Sequence, residues 1–145
     1  MEIIIIIMYH IKQIKINMNK VVYNACFGGF GLSDKAVIWL EQNAREEIKH
    51  FLKNVRNRET NNKNRYGTVE TSMGYSLIYD FHENGIKRHD SDLVKCVEVL
   101  GDKANGECAK LKIYELSGSI YRINEYDGNE TVIDNYDDYI NVNEL

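Results

Sequence analysis

The chain has 145 residues, 43% of them hydrophobic and 28% charged, and a formal net charge of −4. That is the length of one domain and the make-up of an ordinary globular protein, large enough to bury a core without disulfides or metals. Cys26, Cys96 and Cys108 form no C-x-x-C pair and read as reduced thiols, and the negative balance argues against a surface given over to nucleic acid.

Residues 1–17 are expected as an N-terminal extension. The run Ile3 to Ile7 is too short to cross a bilayer before Tyr9, His10, Lys12, Gln13 and Lys15 intervene. There is no basic leading segment and no small-residue cleavage site, so no export signal is read. Ile14, Ile16 and Met18 alternate with Lys15, Asn17 and Asn19, which predicts an extended edge strand within 3–22. A second reading is open. Much Ile, Asn and Lys with no proline is what an AT-rich genome produces, and translation from Met18 would leave the earlier stretch outside the native protein. An exposed apolar strand would otherwise be an aggregation hazard.

From 21 to 25 the β-branched and aromatic residues predict a buried strand, which enters the turn Gly28-Gly29-Phe30-Gly31. Ser33 or Asp34 can cap the helix that follows. Val37, Leu40, Ala44, Ile48, Phe51 and Val55 recur at three- and four-residue spacing, so a helix is expected over 33–55 with a break near Asn43. Residues 57–68 carry Asn61, Asn62, Asn64 and Gly67 with no apolar period and are expected as a loop, and 75–81 is a strand candidate. A second helix starts at Asp90 or Ser91, buries Leu93, Val97, Leu100 and Ala104, and closes at Gly101 or Gly106. Ala109, Leu111 and Ile113 alternate with polar neighbours. A Ser117-Gly118 turn then leads to a strand over 120–126, Asp127-Gly128 gives a type I′ hairpin signal, and 130–134 makes the last strand. The order β-α-β-α-β-β-β describes an α+β domain over 18–134, with two main helices and a mixed sheet that ends in a three-stranded antiparallel meander. An acidic tail, 135–145, follows.

Charge is unevenly placed. Lys49, Lys53, Arg56, Arg58, Lys63 and Arg65 stand against Glu59 alone, while from Glu125 onward every charged residue is an acid. Each block reads either as a solvated face or as a binding surface; if nucleic acid binds, the basic segment 49–65 is where it would do so.

Two places can take a ligand. Backbone amides of Gly29, Phe30 and Gly31, at a turn opening a helix, can cradle a phosphate or carboxylate, although the spacing fits neither standard phosphate loop and also suits a tight turn that lets Phe27 and Phe30 pack. Arg88, His89 and Asp90 put a cation, an imidazole and a carboxylate at a second helix start. Parallel strands would open both loops on one sheet edge; alternatively Asp90 is a helix cap and its neighbours are solvated. Cys26 with His89 supplies the residue types of a nucleophile and base, and nothing more. His82-Glu83 and His89-Asp90 match no zinc spacing, so no metal and no cofactor are expected.

Three segments, CFGGFGLSDK from Cys26, RHDSDLVKCVEVLG from Arg88 and AKLKIYELSGSIYRINEYDGNE from Ala109, occur in an order that resembles a family of small uncharacterised proteins of bacteriophages and large DNA viruses. The resemblance covers 18–133. It implies a viral origin and a start near Met18, and it brings no reaction, substrate or catalytic residue. The family pattern more often has proline where this chain has Ser91; both serve helix initiation. The leading expectation is a viral accessory or virion protein, in the host cytoplasm or the virion and not secreted. It would bind another protein or itself along a sheet edge, with no membrane partner. The alternative is a phosphate- or nucleotide-binding protein or enzyme using Gly29, Phe30, Gly31, Arg88, His89 and Asp90.

Overall fold

The computed structural model describes residues 2–16, 19–66, 85–134 and 140–143. The strand candidate at 75–81, the pair His82-Glu83 and Met18 lie outside them. Helix α1 covers Glu2–Ile16, strand β1 Lys20–Asn24, α2 Asp34–Asn43, α3 Glu46–Tyr66 and α4 Ser91–Leu100, with a 3-10 turn at Gly101–Ala104. Strands β2, β3, β4 and β5 cover Leu111–Glu115, Ile120–Tyr126, Asn129–Asp134 and Ile140–Asn141.

Strand β1 sits between two cores. Val21 and Val22 are neighbours and so point to opposite faces, yet both are fully buried. Val22 packs in the larger core with Leu40 of α2, Leu52 of α3, Leu93 of α4 and Leu111 of β2. Val21 packs in a smaller one with Leu116, Tyr121 and Val132. The β1–β2 ribbon is therefore a middle layer, with helices on one face and the sheet β4-β3-β5 on the other.

The α+β class and a C-terminal three-stranded antiparallel sheet are both present. The third strand of that sheet is β5, drawn from the stretch expected as tail, and not β2. Instead β2 pairs with β1, from Lys20↔Glu115 to Asn24↔Leu111. The cause is burial: Val22 stands opposite Ile113, and both face the helix-side core. Every ladder among the described residues is antiparallel, so the expected mixed character of the sheet is not found there.

Two further expectations are corrected. Residues 2–16 are helical where an extended strand was expected over 3–22. An unbroken isoleucine run carries no period-two signal, and a helix satisfies its backbone groups locally where a strand needs a partner. Residues 57–66, expected as a loop, continue α3 to Tyr66: Arg, Glu and Lys there are good helix formers, and no Gly or Pro intervenes before Gly67.

The caps follow the sequence closely. Ser33 Oγ accepts from the Ala36 amide at 3.1 Å, and Asp90 Oδ1 accepts from the Asp92 amide at 2.8 Å. The break near Asn43 falls at Ala44, whose backbone is extended, and the next amide, Arg45, donates to Asp92 Oδ2 at 3.1 Å. Gly101 ends α4 with φ +57°. Asp127 and Gly128, both at positive φ, make the β3–β4 turn.

Gly128 carries a second constraint, since a methyl group there would lie 2.1 Å from the Gly29 nitrogen, whereas one on Gly101 meets nothing within 4 Å. Both positions have positive φ, a strain worth about 1–3 kcal/mol for a residue with a Cβ. Gly128→Ala is expected to lower the thermal midpoint clearly more than Gly101→Ala. Equal losses in thermal unfolding would show that the contact with the glycine turn is dispensable.

Candidate site at the glycine turn and the start of α4

The open edge of β1 is where the expected site residues gather. On the edge that β2 leaves free, the Val22 amide donates to the Arg88 carbonyl at 2.9 Å, and the Asn24 amide donates to Glu130 Oε1 at 2.8 Å. The Arg88 guanidinium closes the loop. Its Nη1 and Nη2 donate to Glu130 Oε1 and Oε2 at 2.7 and 2.8 Å, and Nη1 also reaches the Val22 carbonyl at 3.4 Å. The Phe30 ring lies against the guanidinium, its centroid 3.7 Å from Cζ, a desolvated cation–π contact. Here two charges and an aromatic ring finish a strand edge.

Asn24, fully buried, ties this edge to the turns. Its Nδ2 donates to the Cys26 and Gly128 carbonyls, both at 2.7 Å, and its Oδ1 accepts from the Lys110 amide at 2.8 Å. All the hydrogen-bonding groups of the amide that matter for burial thus have partners. The glycine turn packs its backbone directly on neighbouring backbone. The Gly28 amide donates to the Asp127 carbonyl at 3.1 Å, and the Gly106 amide donates to the Gly31 carbonyl at 2.9 Å.

The six candidate residues are therefore neighbours with separate duties. Phe30 and Arg88 meet directly. Gly29 abuts the hairpin turn, and Gly31 abuts Gly106. Asp90 caps α4 and pairs with Arg45 Nη2 at 2.6 Å. The Nδ1 atom of His89 lies 2.8 Å from the Tyr121 hydroxyl, with the two rings edge to face. A carboxylate does sit on the two-pronged face of Arg88, and it is the chain's own Glu130.

Burial decides the titration here. It pushes His89 below the ordinary 6.5, against an upward pull from Asp90 and with a further downward push from Lys87. It pushes the Tyr121 hydroxyl up to about 12, opposed by Arg88. Cys26 is exposed on the turn, while His89 is engaged with Tyr121. Cys96 is a core side chain whose thiol burial drives up to about 12. On α3, Lys49 pairs with Glu46 at 3.6 Å and Arg56 with Glu41 of α2. Among the described residues no three His, Cys, Asp or Glu side chains gather as a metal site, and no helix is long and apolar enough to cross a membrane.

Glu130, Asn24 and Arg45 were not singled out from the sequence. For Glu130 a signal existed: alternation places it on the same face as Val132, which is buried, and an acid on a buried face needs a cation. Asn24 at the end of an apolar strand left no comparable mark. No family model, curated protein or solved structure matches the chain.

The side chains of Arg88 and Glu130 are only 14% and 7% exposed, and removing one partner of a buried pair costs about 3–5 kcal/mol. Glu130→Gln is expected to lose stability on that scale in urea unfolding, and Arg88→Met/Glu130→Leu to recover a large part of it. An unchanged midpoint for Glu130→Gln would deny the pair its role. The histidine gives a pH dependence of known sign. With its folded pKa below 6.5, the unfolded chain binds the proton first, so stability falls as pH drops through and below 6.5 and levels off under the folded value. His89→Phe is expected to flatten that part of the stability–pH curve; a curve parallel to wild type would exclude His89 as its source.

Proposed function

We propose that the protein acts by binding another protein chain, with α1 as the binding surface. One observation carries the reading: Ile3, Ile4, Ile5, Ile6, Ile7, Met8 and Tyr9 are consecutive large apolar residues, each more than half exposed, from 52% at Ile7 to 73% at Ile3. Contiguous apolar surface of this extent marks an interaction site, and a helix apolar on all sides is covered in its working state. Helices that rest on lipid surfaces carry Lys and Arg beside their apolar residues. Residues 2–9 hold none, their one charge being Glu2, and the two lysines of α1, Lys12 and Lys15, lie beyond the apolar run, so a protein partner suits that run better than an anionic membrane. The bonding of Arg88, His89 and Asp90 within the chain supports a scaffold role for them over ligand chemistry. A viral accessory or virion setting, which the family resemblance implies, suits a protein that works by association.

The test places a photo-crosslinking benzoylphenylalanine at Met8 of the full chain, with Tyr126 on the exposed hairpin tip as the control position. Protein adducts at Met8, to the same or a different chain, and few at Tyr126 are expected. Adducts confined to lipid, or none at Met8, would overturn the reading.

A further inference from the structure

We infer that the partner of α1 is the same helix of two further copies of this chain, joined in a parallel three-stranded coiled coil. The inference rests on the protein-binding reading and names its partner. Ile4, Ile7, Ile11 and Ile14 follow one another at intervals of three, four and three residues, the a and d spacing of a coiled coil, and the helix is unbroken through all four. Isoleucine at both a and d favours three strands over two. No charged residue interrupts that series, and in the second heptad Lys12 and Gln13 stand at the b and c register positions.

The first heptad hides this order, because its b and c positions are Ile5 and Ile6. Ile3 at g and Met8 at e flank the seam and are covered with it in a three-stranded arrangement. Three-fold symmetry closes on itself, so association stops at three copies. Parallel packing places the three α+β domains at the same end, the C-terminal end of the coil. Two heptads are few for a stable coil, so association rises with concentration.

Sedimentation equilibrium of the full chain over a range of concentrations is the measurement. The mass is expected to approach three times the 16.9 kDa of one chain. Ile4→Asp/Ile7→Asp, which charges the seam, is expected to give monomer. Ile5→Asp/Ile6→Asp, which charges the outer face of the same helix, is expected to keep three copies. A limiting mass of two chains overturns the inference, and so does equal behaviour of the two variants. A monomeric wild-type chain that still forms adducts to another protein at Met8 overturns the self-association and leaves the protein-binding reading standing; no protein adduct at all overturns both. Because both variants change an exposed helix end, near-ultraviolet circular dichroism of the domain aromatics is expected to match wild type and separates dissociation from unfolding.

Discussion

A buried strand needs hydrogen-bond partners on two edges, and among the described residues β1 has a neighbouring strand on only one. The rest of the domain is arranged around the closure of the second edge. A backbone carbonyl and a carboxylate, from Arg88 and Glu130, take the amides of Val22 and Asn24, and the two residues lock each other through a two-pronged ion pair. Arg88 stands just before the cap of α4, so the lock fixes that helix in the helical layer. Glu130 lies in β4, so the same lock fixes the hairpin in the opposite layer. A buried pair of this kind adds little net stability over an apolar substitute. What it contributes is register: an unpaired charge would be left in the core by any slip of the hairpin against β1.

Much of this was legible in the residues. Ser33, Asp90 and Gly101 announced the helix ends through chemistry that acts within three or four positions, and Asp127-Gly128 announced the hairpin in the same way. The split between α2 and α3 near Asn43 was expected even though the apolar spacing runs through it without a fault. Partner choice was not legible, because alternation in 109–114 says that a face is buried without saying against which strand. The isoleucine run was misread for a related reason: where every position is apolar, period two and period 3.6 fit equally well. At the site, the sequence joined the glycine turn and the start of α4 through parallel strands, whereas the described ladders are antiparallel and the two meet through Phe30 and Arg88. It could not show that an acid over forty residues downstream of Arg88 completes the contact, since that depends on the fold of the hairpin.

The molecule divides its polar and apolar work unevenly. Within the domain, polar groups pair with one another, from the buried Asn24 amide to the exposed Arg45 link between the α2–α3 break and α4. In α1 the reverse holds, with a run of large apolar side chains each more than half exposed. A domain closed on itself and a helix left open are what separate scaffold from contact surface.

The closure of β1 also imposes an order on synthesis. Asn24 and Glu130 are 106 positions apart, so a ribosome has made most of the chain before the carboxylate that completes the strand edge exists. During that interval β1 is an apolar strand with one bare side, the kind of edge that recruits other chains. Long-range closure of this type slows folding and prolongs the exposure of intermediates that aggregate. A messenger truncated after β2 would therefore encode something worse than a shorter protein: a chain whose central strand lacks the carboxylate that completes its second edge.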